Sequence, residues 1–486
     1  MGSSKRRAAD NSRGGSSTDH LPTLHQRLKH ALSLGTTRVS DDKERKWKCT
    51  DLEIQKHVVR SLAAFLDSSS GHASTHRLLK DSLADIVEAL VWILHCKSEA
   101  IVGMAVNVVV KLVSSNSSMM QLYLTDLINP LSSLLCSNNL EVATSCATAL
   151  NMVLSNLSVK REKQVWEIVK EAKTLIQIIR IIREFPGVTQ PIENFQEMVS
   201  LLYTILWQWP PSRYFVWKDT ILIKVLEDSH IKSHLSTKVA VLKLCSALAL
   251  CNKVAKELLG NGETILTMMV SCMDVSEPLA VRIEGFRLAQ HLVADEQRCI
   301  KMTSLCSGPL IKAIIGGMRV WRLGSGKGVN DLVSLLDEAC RLALITRWPG
   351  EHHNHFWEQG IDKVLLDLLL ENFDKQASEH TLTPQCTVEK ILDQARIELS
   401  SILTCLSHVH GDIPLHQKLL FCLSKAICKG CQISENDDTS RSESSSRAVL
   451  VMMHSSSTYI ASKIMDHLQT TLAQQTFLKL LSNWFV

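Results

Sequence analysis

Apolar residues recur along this chain with two periods. Within short segments they fall at positions i, i+3 and i+4, which places side chains on one face of an α-helix. These segments start 44, 45, 46, 44 and 44 residues apart, at Val87, Leu131, Ile176, Leu222, Leu266 and Leu310. A seventh starts at Leu365, 55 residues further on, and only the third copy breaks the pattern, with Arg180 at i+4. The nearly constant interval predicts one helical unit that is copied along the chain.

Each interval contains a second apolar segment with helical spacing. Four of these segments cover residues 141–157, 238–250, 278–292 and 331–345. Each carries a small residue among its large ones (Ala147, Ala240, Gly285 and Ala339), where we expect neighbouring helices to approach closely. Short polar breaks between the helices predict turns, and almost no stretch alternates as a strand would. The pattern therefore predicts an all-α fold.

The segment LINPLSSLLCSNNLEVATSCATALNMVLSNL (127–157) resembles an armadillo repeat. It has an apolar helix, a short polar turn and a helix with small residues that ends near Asn156-Leu157. The resemblance covers residues 83–157 and 218–370 and is looser between them; HEAT repeats share the pattern and leave the subtype open. The resemblance implies an armadillo/HEAT-like right-handed α-solenoid, in which stacked units form a continuous core and a long curved surface.

Composition divides the chain around this array. Residues 1–60 carry 13 Lys and Arg against 7 Asp and Glu, and residues 434–447 are polar and serine-rich. The first 20 residues and residues 434–447 contain too little apolar surface to fold by themselves. We predict a disordered basic tail over 1–20, the helical array over 21–433, a disordered Ser-rich acidic loop over 434–447, and C-terminal helices of the array over 448–486. The final apolar residues, Trp484 to Val486, suggest that the last helix pairs with a missing continuation, a partner or a second copy.

The composition also indicates a compartment. The chain is 45% hydrophobic and 21% charged, without a run of about 18 uncharged apolar residues. The N-terminus lacks the apolar core of a secretory signal. Fifteen cysteines in such a chain predict reduced, mostly buried thiols. We expect a protein of the cytoplasm, the nucleus or both, with no membrane partner.

Three segments invite a site. His352, His353 and His355 precede Gly360-Ile361 and a leucine helix, so we place them on the turn that ends a repeat; zinc would need about four ligands. The segment RLGSGKGVND (322–331) is similar to a phosphate-binding loop. However, Trp321, just before it, stands where the first glycine belongs, and Gly328 replaces the required Ser or Thr. Cys428 and Cys431 form a C-x-x-C without a second pair. We assign no catalytic, cofactor-binding or metal residue and expect no enzyme and no cofactor.

The segment WQWPPSRYFVW (207–217) gathers five aromatic residues around two prolines. Prolines end a helix at this point. The aromatic side chains either seal an irregular joint between repeats or form an exposed contact patch. The sequence leaves both interpretations open.

A narrower resemblance concerns the chain as a whole. The basic start, then LHQRLKHALSLG (24–35) and then a long divergent array are similar to plant proteins in which the array continues into a BTB/POZ domain. That resemblance implies that the BTB/POZ part recruits a cullin ubiquitin ligase while the array holds the substrate. No part of 1–486 shows the mixed strand and helix pattern of BTB/POZ, so cullin components would bind through a missing C-terminal domain.

The expected function is therefore that of a non-enzymatic scaffold, which binds a protein partner on the curved face of the solenoid. The alternative is a nuclear import or nucleic-acid-associated armadillo protein that uses the basic N-terminal arm, although nucleic acid is the less expected partner. An import receptor would present regularly spaced Trp and Asn side chains. Asn151 and Asn156 fit one repeat of such a series, which does not continue.

Overall fold

The computed structural model describes most of the N-terminal two thirds of the chain. The described residues are 21–38, 45–68, 78–115, 124–155, 162–185, 191–232, 235–261, 263–319 and 329–346, with Gln359, Gly360 and Val364. They form two compact units: unit 1 contains the described residues of 21–212 and 219–225, and unit 2 contains residues 213–218 and the described residues from 226 onward.

Helices dominate both units. In order they are α1 (Leu21–Leu34), α2 (Leu52–Ser68), α3 (Leu83–Leu94), α4 (Glu99–Ser115), α5 (Leu124–Leu134), α6 (Leu140–Ser155), α7 (Glu162–Glu171), α8 (Thr174–Glu184), α9 (Ile192–Gln208), α10 (Pro211–Trp217), α11 (Thr220–Lys232), α12 (Leu235–Ala249), α13 (Asn252–Asn261), α14 (Glu263–Cys272), α15 (Leu279–Leu292), α16 (Glu296–Arg319) and α17 (Val329–Thr346). A short hairpin of β1 (Thr36–Arg38) and β2 (Arg45–Trp47) separates α1 from α2.

In unit 1 the predicted repeat is present as pairs of helices. The first helices of the pairs are α3, α5 and α8, and each packs on the second helix that follows it, α4, α6 or α9. The second helices also stack on one another, in the order α2, α4, α6, α9. The inner second helices α4 and α6 therefore each have a neighbour on both sides, which buries the apolar face that a single pair would leave in water.

Unit 2 repeats this arrangement. Its stacked second helices are α12, α15 and α17, while α14 packs on α15 and α16 packs on α17. The helix α16 is kinked at Cys306, where the backbone leaves the helical region three residues before Pro309. Proline removes a backbone donor and clashes with the preceding turn, which explains a break at this place.

The apolar residues that open the predicted segments are confirmed as buried positions of helices, except for one. Val87, Leu131, Leu222, Leu266 and Leu310 are all buried. Ile176 is 56% exposed, and the buried positions of α8 include Leu175, Ile178 and Ile179. The third segment therefore begins at Leu175, and from that start both i+3 and i+4 are apolar. Leu365 lies outside the described residues.

The small residues of the second helices are confirmed at three of four positions. Ala147 and Ala339 are fully buried. A Cβ atom at Gly285 would lie 2.9 Å from Cγ of Met273, closer than side chains normally come. Ala240 is only half-buried, so the prediction is wrong there. The buried face of α12 contains Thr237, Val241 and Leu244 instead. Ala240 lies one position before Val241 and therefore beside this face.

The hairpin was not expected from the sequence, which predicted almost no strands. Its three-residue strands are too short to show alternation. Trp47, at the end of β2, is 3% exposed, and its Nε1 donates to the carbonyl oxygen of Leu32 at 3.0 Å. The hairpin therefore holds the end of α1 in place without changing the helical class of the fold.

The longest described helix, α16, has the length and hydropathy of a membrane span. Its apolar residues Met302, Leu310 and Ile314 are fully buried, and it packs against α17. Burial of this kind is typical of a core helix in a folded array.

The predicted basic tail (1–20), Ser-rich loop (434–447) and C-terminal helices (448–486) lie outside the described residues. So do the histidines at 352, 353 and 355 and the cysteines at 428 and 431.

Candidate functional site

The stacked second helices of unit 1 carry polar side chains that meet across each junction. Between α2 and α4, Nζ of Lys111 lies 2.6 Å from Oδ1 of Asp67. Between α4 and α6, Oγ of Ser114 lies 3.6 Å from the sulfur of Met152. These contacts lie at the exposed edge of the stacked second helices, beside their buried apolar residues. Together they form a surface that crosses several repeats.

The junction between α6 and α9 is the most extensively hydrogen-bonded. The hydroxyl of Thr148 donates to Oε2 of Glu197 at 3.0 Å. Nδ2 of Asn151 donates to Oγ of Ser200 at 3.0 Å, and the hydroxyl of Thr204 donates to Oδ1 of Asn151. Asn151 is thus already paired with α9 through both ends of its amide. Asn156, its partner in the predicted Asn series, lies outside the described residues.

This surface ends in two aromatic side chains of α9. The rings of Tyr203 and Trp207 have centroids 5.8 Å apart, and Trp207 is 46% exposed. Positions 200, 203 and 207 follow helical spacing, so the aromatic pair continues the face that carries Ser200. We call this surface the unit-1 strip; it consists of Lys111, Thr148, Asn151, Glu197, Ser200, Tyr203 and Trp207.

Within unit 1, the aromatic segment 207–217 seals a joint, as one of the two interpretations predicted; the contact patch stays a prediction, although one ring is exposed. Trp209 stacks on Trp166 with ring centroids 5.5 Å apart and planes 9° apart, which seals the joint between α7 and the end of α9. Trp207 remains exposed on the strip. Trp207 and Trp209 lie two positions apart, yet the first ring is exposed on the strip and the second is stacked in the joint.

Within unit 2, the same segment surrounds Glu257 of α13. Nε1 of Trp217 donates to Oε2 at 2.8 Å, Tyr214 donates to Oε1 at 3.2 Å, and Nζ of Lys218 lies 3.0 Å from Oε2. Hydrogen bonds from Lys218 and Trp217 hold the pKa of Glu257 below its ordinary value. Nζ of Lys253 lies 3.9 Å from the Tyr214 ring centre. This group fastens α10 to α13.

The second helices α15 and α17 of unit 2 are joined by ionic contacts. Arg287 lies at the centre: its Nε donates to Oε1 of Glu338 at 2.7 Å and its Nη1 to Oε1 of Glu284 at 2.8 Å. Nε2 of Gln290 donates to Oε2 of Glu338 at 2.8 Å. We call Glu284, Arg287, Gln290 and Glu338 the unit-2 cluster.

Burial changes the acidity of this cluster. Burial raises the pKa of Glu284, and the charge of Arg287 offsets only part of that effect. Burial alone would lower the pKa of Arg287, but hydrogen bonds and charges from Glu338 and Glu284 outweigh it and raise that pKa. A raised pKa means that the folded state favours the protonated form of the Glu284 carboxyl group more than the unfolded state does.

Glu284 should therefore make unit 2 less stable as the pH rises. Its pKa is higher in the folded than in the unfolded chain, so the folded state binds more protons and the free energy of unfolding falls with pH. The stability contribution is fully present below the unfolded pKa of about 4.3 and is lost as the pH rises through the folded pKa. Chemical denaturation between pH 4 and 7 should show the wild type losing stability relative to Glu284→Gln.

The matched control for that experiment is Glu263→Gln, which changes an exposed carboxylate of the same unit. A wild-type stability that falls no faster than that of Glu284→Gln would contradict the role given to burial.

Three buried thiols of the described residues are held in their unreactive, protonated form. Burial raises the pKa of Cys146, Cys245 and Cys272 to about 12, so these thiols stay protonated at neutral pH. Within the described ranges, no group of three or more His, Cys, Asp or Glu side chains could hold a metal ion.

Parts of this chain are similar in sequence to known proteins. Residues 137–251 match the Plant ARM repeat model, which includes the stretch from 158 to 217 where the sequence pattern was loose. The chain is 44% identical over 476 residues to a BTB/POZ domain-containing protein of Arabidopsis thaliana. That alignment covers 93% of this chain and 47% of the relative, so the chain spans about half the length of the relative.

Two solved structures are similar at lower identity. A designed armadillo repeat protein is 14% identical with a TM-score of 0.42, covering 56% of this chain and 99% of its own. Kap121p is 11% identical with a TM-score of 0.48, covering 96% of this chain and 53% of its own. Both TM-scores are below 0.5, so the similarity to armadillo repeats rests on the family model and on the observed helix pairs. Residues 137–251 thus match the plant armadillo repeat, and the chain resembles a BTB/POZ domain-containing protein of about twice its length.

Proposed function

We propose that this chain is a non-enzymatic scaffold of the cytoplasm or nucleus that binds a protein partner along its second helices. The unit-1 strip carries this proposal. It combines the exposed ring of Trp207 and the half-buried ring of Tyr203 with polar side chains held by neighbouring helices, as in the central residues of many protein interfaces. Side chains that are already ordered lose little conformational entropy when a partner binds.

We further propose that the partner is the substrate of a BTB/POZ-type cullin ubiquitin-ligase adaptor. The 44% identity to a BTB/POZ domain-containing protein supports this assignment. In such an adaptor the armadillo array would hold the substrate, and cullin components would be recruited through the BTB/POZ part. The import-receptor alternative gains no support from Asn151, because its amide is already hydrogen-bonded to Ser200 and Thr204.

Replacement of the aromatic pair should release the partner. Tyr203→Ala with Trp207→Ala removes two rings from the strip, and buried interface aromatics are the residues whose truncation costs most. We expect at least a tenfold loss of affinity, about 1.4 kcal/mol, for a partner captured by affinity purification and identified by mass spectrometry. The matched control is Phe215→Ala, an aromatic residue that is 57% exposed but lies outside the strip.

Equal retention of the partner by wild type and the double variant would exclude the strip as its binding surface. The ligase assignment is tested separately, with the Arabidopsis relative as bait. Its purification should yield cullin subunits, and an excess of the present chain should displace its other partners. Two disjoint sets of captured proteins would rule out a shared substrate.

A further inference from the structure

A groove of about 660 Å³ lies between α1 and α2, apart from the unit-1 strip. It is open to solvent along the two helices. Its walls are formed by Thr23, Leu24, Gln26, Arg27, His30, His57, Arg60, Ser61 and Ala64. Its volume suits one or two side chains of a ligand, since small-ligand sites in proteins measure about 300–1,000 Å³.

The chemistry of this lining favours an anion. Seven of the nine side chains can donate a hydrogen bond, and none is a carboxylate. Arg27 on α1 and Arg60 on α2 bring two permanent positive charges to opposite walls. The first turn of α1, which contributes Thr23, also contains no acidic residue. An anion in the groove would therefore meet donors on both sides and no repelling carboxylate.

The nearest acidic residues of α2 are engaged outside the groove. Glu53 pairs with Lys56 at 3.6 Å, and Asp67 pairs with Lys111 of α4 at 2.6 Å. Arg27 and Arg60 are exposed and form no ion pair with any residue that the structure describes. Both guanidinium groups thus remain available to a ligand, and guanidinium binds phosphate oxygens in a bidentate manner.

The two walls are held at a fixed spacing by the core beneath them. Leu28 and Ala31 of α1 and Leu62 of α2 are completely buried. The ring of His25 lies 5.7 Å from the ring of Phe65, and Nε2 of His25 lies 3.1 Å from Oγ of Ser82. Because α1 is anchored to α2 and to the start of α3, the arginines do not need to be brought together when a ligand binds.

We propose that this groove binds a phosphorylated serine or threonine side chain of a protein partner. A phosphate monoester carries nearly two negative charges and three strong acceptor oxygens, which match two arginines and the surrounding donors. Single-stranded nucleic acid would need a row of aromatic side chains for its bases, and the lining contains no Trp, Tyr or Phe. The proposal is independent of the unit-1 strip.

The test measures binding of a fluorescein-labelled phosphoserine peptide to the full chain by fluorescence anisotropy at about 0.15 M salt, where weak long-range attraction is screened. We expect saturable binding that falls about tenfold when serine replaces phosphoserine. Arg27→Gln and Arg60→Gln should each weaken binding about tenfold, as expected for loss of a charge-assisted hydrogen bond. Thermal unfolding of these variants should match wild type, since both side chains are exposed.

The matched control is Lys29→Gln with Lys80→Gln, which removes the same number of positive charges from exposed positions outside the lining. This variant should retain the wild-type affinity. Equal weakening in this variant and in the corresponding double variant, Arg27→Gln with Arg60→Gln, would show that only net charge matters and would overturn the site. The proposal also fails if no saturable binding occurs, or if phosphoinositide vesicles or an oligonucleotide bind more tightly through Arg27 and Arg60.

Discussion

Trp47→Ala should lower the free energy of unfolding of the N-terminal helices by about 3–5 kcal/mol, the usual cost of removing a buried Trp. Trp47 is 3% exposed, and its Nε1 donates to the carbonyl oxygen of Leu32 at 3.0 Å. Gly35 lies against its ring: a Cβ atom there would be 2.3 Å from Cε2 of Trp47. Truncation therefore leaves a cavity between α1 and the hairpin, and the carbonyl of Leu32 keeps only its hydrogen bonds from Gly35 and Thr36.

The effect should be local, because each repeat contacts mainly its neighbours. Amide hydrogen exchange should show faster exchange in α1 and α2, while α9 changes little. Trp207→Ala is the matched control in the same unit; Trp207 is 46% exposed, and its loss should change stability much less. Unaltered exchange in α1 after Trp47→Ala would mean that the hairpin does not anchor this helix.

Most of the helical array could be predicted from the sequence because its signal is periodic. The face of a first helix follows directly from residues at i, i+3 and i+4, and the repeat interval identifies which helices are equivalent. The error at Ile176 shows the limit of this approach. Two neighbouring apolar residues, Leu175 and Ile176, both fit a periodic start, and only the polar Arg180 indicated that the segment began one residue earlier.

The hairpin and the groove could not be predicted in the same way, because they occur once and outside the repeats. Three-residue strands carry no usable period, and the burial of Trp47 depends on the approach of Gly35. The groove depends on the packing of α1 against α2. Arg27 and Arg60 are 33 positions apart in the sequence, and no motif connects them.

The unit-1 strip could be predicted from the sequence only in part. Its hydrogen bonds join residues about one repeat apart: Lys111 and Asp67 are separated by 44 positions, and Thr148 and Glu197 by 49. The repeat interval of 44 to 46 residues would therefore have paired Lys111 with Asp67, but it would have missed Glu197 as the partner of Thr148. The exposure of Trp207 could not be predicted, because it depends on where α9 ends and where Trp209 turns inward to stack on Trp166.

Gly285→Leu should destabilise unit 2 by about 1–3 kcal/mol through overpacking. Gly285 lies on α15 where this helix meets the end of α14. A Cβ atom at this position would lie 2.9 Å from Cγ of Met273 and 3.4 Å from Cβ of Cys272. A whole leucine side chain cannot be accommodated by a shift of Met273 alone, so α14 and α15 would have to separate.

Gly103→Ala is the contrasting substitution, since Gly103 also lies inside a second helix, α4. Its added Cβ would meet Cγ2 of Val142 at 3.5 Å, an ordinary van der Waals distance. Alanine is favoured over glycine in a helix by about 0.8–1.0 kcal/mol, so this variant should be slightly more stable than wild type. Urea denaturation monitored by circular dichroism distinguishes the two results. If Gly285→Leu is tolerated as well as Gly103→Ala, the close approach of α14 and α15 is not required for the packing of unit 2.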